Sequence, residues 1–212
     1  TRIRLSSLEA NEIDDPLIDL MVAEPDRFCP HLHLPLQSGD SQILHAMRRR
    51  YNPTQFLKAC ERVAERVPTP SFTTDVIVGF PGETDREFLQ TTSLCHQIGF
   101  AAMHVFPYSV RPGTSAAHFH GQVSPGIKSC RVRTLLALAQ TQAFEFRRRF
   151  IGSLRPVLWE STTETNGSTL WSGLTDNYIR VLGRSPRRLT NHVTLARLST
   201  QEEDRVYAQV LS

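Results

Sequence analysis

The chain has 212 residues, 40% of them apolar and 21% charged, with a net charge of +3 at neutral pH. That length accommodates one large domain, or a medium and a small one, and the apolar share is ordinary for a globular chain. Charged or polar residues interrupt every apolar run before it could cross a membrane, no basic-then-apolar leader opens the chain, and the modest net charge excludes a polycation, so a cytoplasmic protein without a membrane partner is expected.

In chain order, residues 2–6 read as a strand. Its start without a preceding cap or turn leads to the expectation of a fragment. Residues 16–23 read as a helix, and residues 31–36 as a strand that ends in Gln37 and Ser38. Asp40 and Ser41 are good caps for a helix over 41–50. Asn52 and Pro53 break the pattern. A helix over 54–66 then places Phe56, Leu57, Cys60, Val63 and Ala64 on one face, the face expected to pack on a sheet. The stretch 72–80 is an apolar, β-branched run that ends at Gly79, Pro81 and Gly82, as buried parallel strands do at a ligand pocket. Gly79 is expected to let bare backbone approach a flat ligand. A helix over 85–98 with an acidic first turn follows. Residues 102–108 read as a strand leading into a loop that holds Ser109, Arg111 and Thr114. The helix over 125–150 carries an apolar stripe through Leu135, Leu138, Ala139 and Phe146, and Gly152 and Pro156 mark its stop. The domain boundary is placed there, giving domains 1–150 and 151–212.

Alternating strands and helices over the first domain predict an α/β fold with a parallel sheet. Parallel barrels work at the C-terminal ends of their strands. Here those ends are Ser6-Ser7, Gln37-Ser38, Gly79 and Ser109 to Arg111. Beyond residue 151 the pattern changes to about five short strand candidates in some sixty residues, a small β-barrel signature. Asn166-Gly167 is a hairpin turn signal between two of them.

The cysteines, Cys29, Cys60, Cys95 and Cys130, lie 31, 35 and 35 residues apart. No pair has metal-site spacing, and they read as free thiols. His31 and His33 share a strand face; without a third ligand at useful spacing they read as structural rather than as a metal pair. Arginine runs at 48–50 and 147–149, with Arg184, Arg187 and Arg188, are either solvated surface or phosphate contacts.

Three segments taken together resemble the radical S-adenosylmethionine methylthiotransferases that modify tRNA. They are His31-Leu32-His33-Leu34-Pro35-Leu36-Gln37-Ser38-Gly39, Thr74-Asp75-Val76-Ile77-Val78-Gly79-Phe80-Pro81-Gly82-Glu83, and His104 through Thr114. Arg4-Leu5-Ser6-Ser7-Leu8-Glu9, Met47-Arg48-Arg49-Arg50-Tyr51 and a TRAM-like Gly173-Leu174-Thr175-Asp176-Asn177-Tyr178 extend the likeness to nearly the whole chain. The first segment is closest to the MtaB-type branch, which acts on threonylcarbamoyladenosine beside the anticodon. Asn52 after Tyr51, and the order Gly39-Asp40-Ser41, depart from the commoner pattern.

The resemblance implies a partial (β/α) radical SAM barrel followed by a small all-β TRAM barrel that binds RNA. It implies S-adenosylmethionine as cofactor, two 4Fe-4S clusters in the intact protein whose cysteine ligands are absent here, the tRNA anticodon arm as substrate, and an electron donor. It also implies a reaction begun by a 5′-deoxyadenosyl radical, which this chain alone cannot form. Cofactor contacts are expected from Ser6, Glu9, Gln37, Ser38, Arg49, Ile77 and Gly79. Gln37 suits a ribose hydroxyl or the methionine moiety, and Glu9 suits the ligand's amine or an arginine. Arg49 suits the methionine carboxylate. Arg111 and Thr114 are expected at the substrate, and Thr175, Asn177, Tyr178 and Arg180 at RNA. The alternative is a non-catalytic tRNA-binding module with a degenerate barrel; a third reading is an unrelated sugar- or phosphate-handling barrel.

Overall fold

The computed structural model describes residues 2–165 and 168–211. The chain divides into two compact units, Thr1–Gln142 and Ala143–Ser212.

In the first unit, β1 (Ile3–Leu5), β2 (Phe28–His33), β3 (Ser71–Val78) and β4 (Ala102–Pro107) form, among the described residues, a parallel sheet in chain order. Parallel neighbours need crossovers. Helices supply them: α1 (Asp15–Ala23) after β1, α2 (Ser41–Ala46) and α3 (Pro53–Arg66) after β2, and α4 (Asp85–Ile98) after β3. Local chemistry starts and stops these helices. Asn52 and Gln55 form a capping box before α3, with Pro53 at its first turn, and Thr84 and Glu87 form one at α4. Gly99, left-handed at φ 71°, ends α4. Phe56 and Val63 of α3 pack with Leu32, Val76, Val78 and Phe100 in one core on a single face of the sheet.

Two predicted elements end earlier than expected; β2 also begins earlier and keeps its length of six residues. The strand predicted over 31–36 stops at His33, because Pro35 has no N–H to donate. The Thr74 hydroxyl spans the gap: it accepts from Leu36 N–H at 2.9 Å and donates to Leu34 C=O at 2.7 Å. Pairing resumes at Gln37, whose N–H reaches Asp75 O at 2.8 Å and whose carbonyl receives Ile77 N–H at 2.9 Å. The helix predicted over 41–50 stops at Ala46. Arg48 is left-handed at φ 59°, and Arg49 N–H returns to Leu44 O at 2.9 Å, a Schellman-type closure without glycine.

In the second unit, β5 (Leu154–Thr165), β6 (Ser168–Thr175), β7 (Arg180–Arg184), β8 (Val193–Glu202) and β9 (Arg205–Val210) close a barrel in the order β5-β6-β7-β9-β8 among the described residues. Trp159, fully buried, fills its centre and donates to Thr194 Oγ1 at 2.9 Å. Gly173 and Gly183 make room for that ring: a Cβ at either would come within 2.8 or 2.7 Å of an indole carbon. The turn expected at Asn166-Gly167 lies outside the described residues, although the β5–β6 register extends to Thr165 opposite Ser168. The division between units falls inside the long helix α5 (Pro125–Arg148).

Candidate active-site cleft

Because the four strands are parallel, their C-terminal ends share one edge of the sheet. Side chains alternate along β3. Val76 and Val78 are fully buried in the core, while Thr73, Asp75 and Ile77 point to the opposite face. There Asp75 lies beside His104, and Ile77 beside Phe106. A cleft of about 510 Å³ opens at this edge, floored by Ile77, Phe80 and Phe106 and rimmed by Gln37, Asp75 and Arg111. A neighbouring hollow of about 320 Å³ shares Ile77, Phe80 and Ala116 and adds Met47, Arg48 and Arg49. The larger cleft falls within the roughly 300–1,000 Å³ common for small-molecule sites, with the usual apolar floor and few polar groups.

The expected residues divide between these hollows and the interior. Gln37 and Ile77 line the larger cleft, joined by Arg111 and Thr114, whose loop is fixed by a Thr114 Oγ1–H bond to Arg111 O at 2.8 Å. Arg49 lines the smaller hollow and pairs with Glu9 at 3.2 Å, so of the two roles open to Glu9 the arginine partnership is the one observed. Ser6 is exposed beyond β1 and is absent from the lining of either hollow among the described residues.

Four expectations are corrected. Ser38 is 1% exposed and turns to α4, where its hydroxyl meets Thr91 Oγ1 at 3.4 Å and receives Asp40 N–H at 3.2 Å. Gly79 does not present open backbone, since a Cβ there would meet Lys128 Cγ at 2.4 Å. Its N–H is also taken by Glu83 Oε1 at 3.0 Å, so its positive φ of 71° serves the turn. Thr175 and Asn177 are both fully buried and cannot offer side chains to RNA. They build the β6–β7 turn, with Thr175 Oγ1 donating to Asn177 Oδ1 at 2.7 Å and receiving Ile179 N–H at 2.8 Å. Tyr178 and Arg180 remain on the barrel surface, Arg180 paired with Glu160.

Sequence reasoning passed over the groups that hold the cleft in shape. On α5, Lys128 Nζ donates to Tyr108 O at 2.9 Å, so its stem and head join the Gly79 turn to the end of β4. Arg131, 4% exposed, donates to the Glu83 carboxylate at 2.7 Å and to Asp85 at 2.8 Å. Burial pushes the Glu83 carboxyl upward, while the Gly79 N–H and Arg131 pull it down. Two cations three residues apart on one helix face, Lys128 and Arg131, were the available signal. The second omission is polar: Thr73, Asp75 and His104 join His31 and His33 on the face opposite the core. Asp75, the one charged residue of β3, was the sign of it.

Residues 2–95 match the radical SAM superfamily. Threonylcarbamoyladenosine tRNA methylthiotransferase MtaB of Bacillus subtilis is 38% identical over 182 residues, 85% of this chain and 40% of that protein. The tRNA-2-methylthio-N(6)-dimethylallyladenosine synthase of Corynebacterium jeikeium is 39% identical over 168 residues, 79% of this chain and 33% of its own length. The chain therefore spans about two fifths or less of these curated relatives. Among solved structures, the radical SAM enzyme coproporphyrinogen III oxidase (HemN) of Escherichia coli superposes with a TM-score of 0.55 at 15% identity, covering 95% of this chain and 47% of that one, which supports the fold alone.

Proposed function

From a chain whose first 95 residues carry the radical SAM match and which is homologous to the MtaB- and MiaB-type tRNA methylthiotransferases, we infer the cofactor cradle and RNA-holding part of such an enzyme. The target is the adenine ring of N6-threonylcarbamoyladenosine beside the anticodon, as in the MtaB-type branch. The observation that carries this reading is the paired hollow at the ends of the parallel strands β2, β3 and β4, with Gln37 and Arg49 in its two halves and Ile77 between them.

The residues fit S-adenosylmethionine. Ile77 and Phe80 offer an apolar floor to a purine, Gln37 a donor and acceptor to a ribose, and Arg49 a cation to an amino-acid carboxylate. Glu9 orients the Arg49 guanidinium from one side. When bound, this cofactor supplies radical hydrogen abstraction and a methyl group; the protein's share is orientation and exclusion of side reactions. The cysteines present do not fit a four-iron cluster. Cys29, Cys60 and Cys95 are buried, Cys130 is exposed, and no cluster of potential metal ligands occurs among the described residues. Burial also pushes the Cys60 and Cys95 thiols up to about 12, away from the thiolate a cluster needs. Cluster ligands are therefore assigned to residues outside these 212, and the chain by itself is inactive on this reading. The β-barrel of the second unit acts as the TRAM-like RNA holder, through Tyr178 and Arg180, with Arg111 and Thr114 of the first unit at the substrate.

Equilibrium binding of S-adenosylhomocysteine to the purified chain tests the cradle. Arg49→Met removes a charge-assisted contact and is expected to weaken binding on the order of tenfold. Unchanged affinity removes Arg49 from the cofactor site.

A further inference from the structure

The face of the sheet turned away from the core carries a continuous polar ladder. His31 Nε2 and His33 Nδ1 each lie 3.0 Å from Thr73 Oγ1. His33 Nε2 lies 3.4 Å from one Asp75 oxygen, and His104 Nδ1 lies 3.1 Å from the other. With one proton per ring, one assignment places a proton in each of these contacts and turns His33 Nε2–H toward the carboxylate. Asp75 accepts N–H from His104 Nδ1, and its other oxygen faces His33 Nε2 at ion-pair distance. His33 Nδ1 then accepts the Thr73 hydroxyl proton, and the Thr73 oxygen accepts N–H from His31 Nε2.

This ladder holds one oxygen of a carboxylate that also rims the larger cleft and sets a histidine beside the other. Each oxygen keeps a second lone pair, so Asp75 is a braced acceptor with capacity left for a ligand. Stability alone does not call for it. Ile77, two residues on along the same face, shows that an apolar side chain fits this surface. A local rule broken in this way, in a strand otherwise built for burial, is where function is expected. Beside the Ile77 and Phe80 floor given to the cofactor's purine, Phe106, two residues on from His104 along β4, offers a flat face to a second heteroaromatic ring.

We propose that Asp75, braced by His33 and His104, is the hydrogen-bond acceptor that orients the target base by its exocyclic N–H. The inference rests on the proposed function and adds to it a residue that reads the substrate rather than the cofactor. Asp75 is thus a specificity-determining group, with His33 and His104 as positioning residues.

The test uses the 212-residue chain with histidine rings labelled with ¹⁵N. The expected tautomers are Nε2–H at His33 and Nδ1–H at His104. Three probes are titrated: the nucleoside N6-threonylcarbamoyladenosine, N6,N6-dimethyladenosine, which has no exocyclic N–H, and S-adenosylhomocysteine. The first is expected to shift both ring spectra and the second to leave them unmoved. Asp75→Asn is expected to weaken the first probe on the order of tenfold, the loss of one hydrogen bond to a charge, while leaving S-adenosylhomocysteine within about twofold. The unsubstituted chain carries the spectroscopic arm, so a variant that fails to fold does not end the test. Equal response to the first two probes overturns the proposal. So does parallel loss of S-adenosylhomocysteine in Asp75→Asn, which would make Asp75 a cofactor residue. If S-adenosylhomocysteine binds and the nucleoside does not perturb the rings, the proposal falls and the cofactor reading stands; if neither binds, both fall.

Discussion

Glycine at position 79 is required twice over. Its φ of 71° strains any residue with a Cβ, and the space a Cβ would enter holds the stem of Lys128. Gly79→Ala is therefore expected to cost roughly 1–2 kcal/mol from the backbone and about 1–3 kcal/mol more from overpacking. Lys128→Ala in the same chain should recover the packing part and not the backbone part. Urea denaturation of the two single variants and the double variant measures that coupling. His31 gives a second expectation. Burial, reinforced by Arg4 and His33, lowers its pKa to about 3. A histidine whose folded pKa is depressed keeps its stabilising effect above the unfolded pKa, near 6.5, and loses it as pH falls below that value, because the unfolded chain then takes up protons the folded chain refuses. Between pH 6.5 and 5 the stability should fall by up to about 1.4 kcal/mol per pH unit from this group. Denaturation midpoints across that range, compared with His31→Gln, test it: the variant should show the shallower slope, and equal slopes would show that His31 is protonated in the folded chain.

At the scale of elements, the interrupted strand β2 shapes the cleft. Pro35 removes a ladder donor, Thr74 covers the gap with one hydroxyl, and the chain re-enters the sheet at Gln37, left-handed at φ 63° and at the rim of the cleft. Thr74→Val keeps the shape but strands a buried N–H and C=O, so a loss of about 1–3 kcal/mol is expected, with Thr74→Ser retaining most of the stability. Thermal unfolding of the two variants distinguishes the hydroxyl from the methyl group as the cause. Periodicity made the strands and helices of the first unit legible, since apolar spacing in the helices and β-branched runs in the strands are local signals. It could not show how far β2 and α2 extend, because their ends depend on partners remote in sequence, Thr74 for β2 and the left-handed Arg48 closure for α2. The same limit explains the site. Gln37, Ile77, Arg49 and Arg111 sit near strand or helix ends or in the loop after β4, and that position made their place at the hollows legible. Burial of Ser38 by Thr91 depends on packing that no local pattern carries, as do the occupation of the Gly79 space by Lys128 and the turn role of Thr175 and Asn177.

For the whole molecule, the first unit holds a cleft and an adjoining hollow that the proposed function gives to the cofactor, and the second is a closed barrel among the described residues with Trp159 at its centre. Relatives of similar identity act, by their names, on threonylcarbamoyladenosine or on dimethylallyladenosine, so overall likeness alone does not choose between them. The most direct measurement is mass spectrometry of tRNA nucleosides from cells that lack the modification, with and without the reading frame that encodes this chain. The account predicts that 2-methylthio-N6-threonylcarbamoyladenosine appears with the reading frame and that the 212-residue chain alone does not restore it. Appearance of the dimethylallyl product instead would contradict the substrate assignment. No methylthiolated adenosine at all would contradict the enzyme itself.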